Sequence, residues 1–199
     1  MLYGAPGTGK STSVKAAVNS LAPEGLRLIQ IAKEQLRDLP LIMDELNGNP
    51  LKFVLFIDDL SFSADNDRLS ALKAMVEGSV CAQADNAVIC ATSNLQHLVR
   101  KLPDGEEPDD RQQELRSLAA RFGLQIHFAR PEREAYLDTV RRFAADYGLS
   151  GDDAALCRGA LQFAEEGSGC SPRTAKQYVK LLIGRQEQEA SGADAIGGI

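Results

Sequence analysis

The chain has 199 residues, of which 44% are hydrophobic and 25% are charged, proportions that exclude a disordered or fibrous protein. Its 28 acidic and 22 basic residues leave a net charge of −6, which argues against a surface that binds nucleic acid in general. No apolar run reaches the roughly 18 residues that cross a membrane, and no secretion signal opens the sequence. We therefore expect a cytoplasmic protein.

Strand and helix signals alternate along the first 130 residues. A continuous apolar run at 53–57 is typical of a strand buried on both faces of a parallel sheet. The other predicted strands span 26–32, 87–92 and 123–128. Helices are predicted from the segment 4–11 to Leu21 and at 34–36, 39–46, 65–77 and 111–122. An acidic stretch with two prolines, 102–110, predicts an exposed loop.

Beyond Pro131 every periodic segment is helical, and the predicted helices span 132–147, 152–165 and 172–187. Alternating elements predict a parallel sheet with helices on its faces, and a purely helical end predicts a small appended bundle. We therefore divide the chain into an α/β core at 1–130, a helical lid at 131–187 and a flexible tail at 188–199.

The segment 4–11, GAPGTGKS, matches the phosphate-binding pattern G-x-x-x-x-G-K-[ST]. Such a loop needs glycines because its backbone amides must surround a phosphate closely, often at positive φ. Lys10 is expected to reach the β and γ phosphates, and the Ser11 hydroxyl to bind Mg²⁺. The predicted ligands of ATP are Gly4, Ala5, Pro6, Gly7, Thr8, Gly9, Lys10, Ser11 and Thr12.

Two acids follow the apolar run in FVLFIDD. Asp58 is expected to hold the Mg²⁺ shell, and Asp59 stands where a general base polarises an attacking water. An isolated acid pair often only caps the next turn. Its combination with the phosphate loop favours the catalytic interpretation.

Four motifs occur in a familiar order: GAPGTGKS, FVLFIDD, ATSN and ARFG. They resemble the Walker A, Walker B, sensor 1 and arginine-finger boxes of AAA+ ATPases, and the likeness covers about residues 1 to 185. The arrangement is similar to an uncharacterised bacterial group of AAA+ proteins described only as ATP-binding. ARFG and SPRTA also resemble segments of Holliday-junction branch-migration motors. The resemblance implies a P-loop NTPase fold and ATP hydrolysis at the interfaces of a homo-oligomer that remodels an unknown target.

The resemblance also implies roles for three further residues. Asn94 would be the sensor 1 residue that orients the lytic water, and Arg121 would be the finger that reaches the nucleotide of a neighbouring subunit. Arg173, in SPRTA, would be the sensor 2 arginine of the helical lid. Three alternatives stay open: Asn94 as a simple cap, Arg116 or Arg130 as the finger, and Arg173 in a structural salt bridge.

Two features depart from the AAA+ pattern. The second Walker B acid is usually Glu, whereas this chain has Asp59, which is one methylene shorter. Only three residues precede the phosphate loop, so we expect the sequence to be an N-terminally truncated piece. The short acid favours a second hypothesis, a nucleotide-dependent switch or scaffold with little hydrolysis. A third, a nucleoside or small-molecule kinase, is disfavoured by the sensor-like Asn94 and Arg173.

Overall fold

The computed structural model describes residues 1–60, 72, 76, 84–94, 117–149 and 151–196, with side chains as far as residue 188. The predicted loop at 102–110, Arg116 and most of the predicted helix at 65–77 lie outside these residues. The chain forms two compact units, which we describe separately. We call Met1–Ala5 with Lys10–Phe128 the sheet unit, and Pro6–Gly9 with Ala129–Ile199 the helical unit.

A five-stranded parallel sheet forms the centre of the sheet unit. Its strands lie in the order β2-β3-β4-β1-β5. Their bounds are Leu2–Gly4 for β1, Leu26–Ile31 for β2, Lys52–Ile57 for β3, Ala87–Ser93 for β4 and Ile126–Phe128 for β5. The parallel α/β sheet confirms the predicted fold class, although β5 begins three residues later than the pattern at 123–128 predicted.

The two helices of the sheet unit whose bounds the structure describes begin and end near the predicted positions. Helix α1 spans Lys10–Leu21 and is followed by a 3-10 turn, Ala22–Glu24, and by Gly25 at φ 94°. That conformation suits glycine, which has no Cβ penalty there, so the chain turns sharply into β2. A 3-10 segment, Lys33–Asp38, leads directly into α2, Leu39–Leu46.

Side chains of β3 alternate between two apolar layers, one on each face of the sheet. Val54 and Phe56 pack in the same cluster as Val14 and Val18 of α1. Leu55 and Ile57 pack in the opposite cluster, which contains residues of α2. Burying a side chain of this size contributes about 1.5–3 kcal/mol. Burial on both faces is the reason why this strand reads as a continuous apolar run.

Three helices build the helical unit: α3, Arg133–Asp146; α4, Asp153–Glu166; and α5, Pro172–Ile196. They surround a core of their own, in which Tyr136, Val140 and Ala144 follow one another at the four-residue spacing of a helix face. Within the described residues, no helix has the length and apolar character needed to cross a bilayer.

Helix α5 continues to Ile196, beyond the end that the sequence predicted near residue 187. The segment 188–196 was expected to be a flexible tail. It contains no proline, and its alanines favour helix, so no strong breaker stops the helix at 187.

Candidate functional site

Three polar segments follow three neighbouring strands of the sheet. Strand β4 lies between β1 and β3. Because all three are parallel, their carboxyl ends meet at one edge of the sheet. The phosphate-binding pattern starts at the end of β1, Asp58 and Asp59 follow β3, and Asn94 follows β4. The sheet therefore brings together residues that are far apart in sequence. The carboxyl edge at which they meet is the usual place for ligands in open α/β sheets.

The loop between β1 and α1 has the backbone geometry that its glycines predict. Gly4, Gly7 and Gly9 have φ values of 133°, 77° and 99°. A side chain at Gly4 would also overlap the carbonyl oxygen of Phe128 in the neighbouring strand. Helix α1 begins at Lys10, so the loop ends at a helix N-terminus, where amides and the helix dipole favour an anion.

Lys10 is a buried cation at the end of this loop, with only 5% of its surface exposed. Its Nζ donates hydrogen bonds to the carbonyl oxygens of Gly4, at 3.0 Å, and Ala5, at 2.7 Å. Burying an ammonium group is costly unless such partners compensate for lost water. The loop therefore holds the positive charge close to its own backbone.

Asp58 accepts hydrogen bonds from two hydroxyl groups on the same oxygen. Ser11 Oγ lies 2.5 Å and Thr92 Oγ1 lies 2.7 Å from Asp58 Oδ1. Partial burial by itself raises the pKa of Asp58, but these hydrogen bonds and the charge of Lys15 outweigh that effect. The pKa of Asp58 therefore lies below its usual value, and the group is a carboxylate at neutral pH.

Asp59 is the one described residue other than glycine with a positive φ, 53°. Its backbone N–H donates to Thr92 Oγ1 at 2.9 Å, and its side-chain Oδ1 accepts from Asn94 Nδ2 at 2.6 Å. Asp and Asn tolerate the left-handed region better than most residues. Both side chains are exposed, so this strained turn presents a carboxylate and an amide to solvent.

In the helical unit, the tip of the loop packs against the start of α5. Ser171 caps this helix, because its Oγ accepts from the N–H of Thr174 at 3.1 Å. Another amide of this helix end, that of Arg173, donates to the Gly7 carbonyl at 3.2 Å. A Cβ at Gly7 would stand 2.9 Å from Ser171 Oγ and 3.1 Å from Arg173 Cβ. The side chain of Arg173 itself is exposed.

The three finger candidates lie in different places. Arg121 is exposed in the sheet unit, and its Nη1 donates to Ser117 Oγ, one turn earlier, at 3.0 Å. Arg130 belongs to the helical unit and lies against Gly169. Arg116 is outside the described residues. The assignment of the finger to Arg121 concerns a neighbouring subunit and stays a prediction.

The donor set near Ser11 and Asp58 suits Mg²⁺ shared with a phosphate ligand. Among the described residues, no group of three or more His, Cys, Asp or Glu side chains could enclose a metal ion. Mg²⁺ does not need such a cage, since it often takes one or two carboxylates together with phosphate oxygens and water. One hydroxyl and one carboxylate, already in contact, satisfy this requirement.

Two residues at these sites were not predicted from the sequence. Thr92 joins Asp58 to the Asp59 backbone, and Ser171 caps α5 beside Gly7. Ser171 had a recognisable signal, because Ser followed by Pro is typical of the first positions of a helix. Thr92 had only its place two residues before Asn94, which does not specify a contact with another strand.

Comparison with known proteins identifies the family. A family model described as "Protein of unknown function (DUF815)" matches residues 1–186. The chain belongs to the DUF815 family. No curated protein shows significant sequence similarity to it.

Several solved structures share the fold of this DUF815 protein. One variant of Thermotoga maritima RuvB is 18% identical, with a TM-score of 0.57, and the match covers 90% of this chain and 52% of that one. A second RuvB mutant from the same organism is 17% identical, with a TM-score of 0.59 over 90% and 53%. The replication initiator DnaA, bound to AMPPCP and single-stranded DNA, is 15% identical, with a TM-score of 0.59 over 97% and 59%. The DUF815 chain thus spans little more than half the length of these proteins, and its fold is that of AAA+ P-loop ATPases.

Proposed function

We propose that this chain binds Mg-ATP and hydrolyses it at an interface between two copies of itself, and so drives a conformational change that remodels a target. The observation that carries the proposal is the 2.5 Å hydrogen bond between Ser11 and Asp58. It joins the last residue of the phosphate-binding pattern to the first residue after β3. Ser11 and Asp58 are 47 residues apart in the sequence, yet they are in contact. A site that holds Mg²⁺ together with a phosphate requires such a contact between the two motifs.

Binding is proposed to use the loop amides, Lys10 and Ser11. The β and γ phosphates would take the Lys10 ammonium as a donor in place of the carbonyls of Gly4 and Ala5, since a phosphate oxygen carries more negative charge than a carbonyl oxygen. Ser11 Oγ and Asp58 would hold Mg²⁺, which when bound neutralises phosphate charge. The hydrogen bond between them fixes the direction of the Ser11 hydroxyl proton.

Hydrolysis is proposed to use Asp59 as the general base. A water oxygen attacks the γ phosphorus while its proton passes to the Asp59 carboxylate, and Asn94 orients that water. The bond from the γ phosphorus to the β–γ bridging oxygen breaks, and ADP leaves with the electron pair. The exposure of Asp59 and Asn94 and their 2.6 Å contact support this pairing, because a base that faces solvent can receive a water.

Arg121 of one copy is proposed to neutralise the transition state in the next. Its exposed position on the sheet unit supports this role. An arginine in that role accelerates related phosphoryl transfers by about 10³ to 10⁵. Arg173 would contact the γ phosphate from the helical unit, so that loss of this phosphate changes the contacts of both arginines and shifts the conformational equilibrium.

The test of binding replaces Lys10 by Ala. We expect ATP affinity to fall at least 100-fold, measured by calorimetry or a fluorescent analogue, because a buried cation beside the phosphates is lost. Lys52→Ala is the matched control, since Lys52 is exposed at the opposite end of β3 from Asp58. Equal ATP affinity in Lys10→Ala and Lys52→Ala would reject the proposal.

The test of the interface uses Arg121→Ala. We expect turnover to fall about 10³-fold while ATP affinity stays within twofold. Mixing Arg121→Ala with Asp59→Asn should restore part of the activity, because each lacks a group that the other supplies across a mixed interface. Size measurements with and without ATP should show assembly. A mixture as inactive as its components, in a sample that does assemble, contradicts a finger acting in trans.

A second candidate function is an ATP-dependent switch or scaffold with little hydrolysis. It is favoured by the short Asp59 side chain and by the hydrogen bond that ties its Oδ1 to Asn94. The switch predicts negligible turnover in the parent chain and a gain in Asp59→Glu. The ATPase predicts measurable turnover in the parent. Because Glu tolerates a positive φ less well than Asp, thermal stability must be measured beside turnover.

A further inference from the structure

Thr92 is a buried side chain at the end of β4, with 1% of its surface exposed. Its single hydroxyl makes two hydrogen bonds of opposite direction. Oγ1 donates its proton to Asp58 Oδ1 at 2.7 Å and accepts the backbone N–H of Asp59 at 2.9 Å. Because a hydroxyl has one proton, donation to Asp58 leaves its lone pairs for the Asp59 amide.

The backbone of Thr92 adds a third connection, since its carbonyl oxygen accepts the N–H of Leu60 at 2.6 Å. The parallel pairing of β3 with β4 runs only as far as Ile57 opposite Ala91. Just beyond that pair, Asp59 turns to φ 53° and leaves the strand geometry. Beyond the last paired residues of β3 and β4, Thr92 therefore provides hydrogen-bond partners for three consecutive residues, Asp58, Asp59 and Leu60.

We propose that the Thr92 hydroxyl is a positioning group that sets the two acids in their separate roles. By occupying Oδ1 of Asp58 together with Ser11, it directs the other carboxylate oxygen, Oδ2, towards the cation. By holding the Asp59 amide, it maintains the left-handed turn that aims the Asp59 carboxylate at the water. This inference rests on the proposed ATPase function and deepens it.

The consequence of losing this hydroxyl follows from the geometry. Thr92→Val has nearly the same shape but removes the hydroxyl that accepts the Asp59 N–H and donates to Asp58. The turn at Asp59 can then relax towards an ordinary backbone conformation. A displacement of about 1 Å at a catalytic group can lower a rate by roughly 10²-fold. We expect turnover to fall at least tenfold.

The experiment compares Thr92→Val with Thr92→Ser, which keeps the hydroxyl. Thr139→Val is the matched control, because the exposed hydroxyl of Thr139 bonds a carbonyl of its own helix, that of Ala135, at 2.8 Å. For each variant we would measure turnover at saturating Mg-ATP, the Mg²⁺ concentration for half-maximal turnover, ATP affinity without Mg²⁺ and the exchange rate of the Asp59 amide by NMR.

The proposal expects a specific pattern. Thr92→Val should lose at least tenfold in turnover, need several-fold more Mg²⁺ and exchange the Asp59 amide at least tenfold faster, while its Mg²⁺-free ATP affinity stays within twofold. Thr92→Ser should recover most of the turnover and protection. Thr139→Val should match the parent in all four measurements.

Other outcomes overturn the proposal and separate it from the ATPase proposal. Parent-like turnover in Thr92→Val rejects the positioning role while leaving the ATPase intact. Equal losses in Thr92→Val and Thr92→Ser show that only packing is involved, and they also reject it. If the parent binds ATP without turning it over, the ATPase proposal fails, and the amide exchange of Asp59 alone decides whether Thr92 holds this turn.

Discussion

The two units hold their candidate functional groups by different means. In the sheet unit, side chains bond one another across strand ends, and the hydroxyls of Ser11 and Thr92 meet on one oxygen of Asp58. In the helical unit, the backbone predominates, because the Arg173 amide bonds the Gly7 carbonyl and little space is left for a side chain at Gly7.

Because of this difference, we expect substitutions in the two units to have different effects on catalysis and on stability. A polar side chain at a strand end can be replaced by another of similar shape, so its substitution should change catalysis more than the free energy of unfolding. A helix end packed on a glycine backbone allows no such exchange, so substitution there should change folding first. Four predictions examine this contrast, beginning with the largest expected effect.

Asp58→Asn should lower turnover at least 100-fold, which corresponds to about 2.7 kcal/mol in the activation barrier. A neutral amide removes the charge that the bound Mg²⁺ would face, and an NH₂ group in place of Oδ2 cannot bind a cation, even if the amide oxygen still accepts the Ser11 and Thr92 hydroxyl protons. Hydrolysis measured over a range of Mg²⁺ concentrations tests this, with the exposed acid substitution Asp44→Asn as control. A variant that retains half of the parent turnover would refute the assignment of Asp58.

Gly7→Ala should lower the free energy of unfolding by at least about 1 kcal/mol more than Gly148→Ala. Both glycines have positive φ, 77° and 68°, but only the Cβ at position 7 meets neighbours within 4 Å. Ser171 cannot easily move aside, since its hydroxyl is buried and bonded to Thr174. Urea denaturation without nucleotide measures both losses. Equal values would mean that the packing at Gly7 is loose.

Alkaline pH should weaken the helical unit through Tyr136. Its hydroxyl donates to the Ala160 carbonyl at 2.9 Å, and burial raises the pKa of Tyr136 to about 12. Its contribution is complete below about pH 10, the ordinary tyrosine value, and is lost as the pH rises towards 12, because only the unfolded chain ionises there.

Tyr136→Phe should therefore cost about 1 kcal/mol at about pH 8 and make the decline of stability above about pH 10 shallower. Denaturation at about pH 8 and about pH 11 measures both effects, with the exposed Tyr147→Phe as control.

The stability of the sheet unit should respond to acid instead. The pKa of Asp58 is lowered by folding, so its contribution is present above the ordinary aspartate value and is lost as the pH falls below it. For the helical unit, a decline of stability at alkaline pH that is equally steep in the parent and in Tyr136→Phe would contradict the role given to Tyr136.

The smallest expected effect is the difference between the two helix caps of the helical unit. Ser171→Ala should cost about 1–2 kcal/mol, and Asp152→Ala about 0.5–1 kcal/mol. Asp152 caps α4 from an exposed position, whereas Ser171 is buried and also bonds Thr174 Oγ1. Thermal or urea denaturation measures both. A larger loss for Asp152→Ala would show that burial adds nothing to the cap of α5.

The motifs predicted much of the candidate site. The glycine pattern predicted the loop at Gly4, and the apolar run predicted the strand before Asp58, because both signals are local in sequence. The placement of Asn94 near Asp59 followed once the AAA+ resemblance gave it the sensor 1 position. Thr92 could not be predicted in the same way, since its role depends on the turn at Asp59 after another strand. The grouping of Pro6–Gly9 with the helical unit likewise depends on contacts with distant residues such as Arg173.

The sequence by itself predicted most of the described strands and helices and the motifs that follow them, because periodicity, glycine placement and apolar runs act over a few residues. The tertiary structure alone decided the strand order β2-β3-β4-β1-β5, the 2.5 Å approach of Ser11 to Asp58 and the two-sided hydrogen bonding of Thr92. These features arise from pairing between distant segments, where burial of both sheet faces and the satisfaction of buried polar groups select one arrangement among many that the local pattern allows.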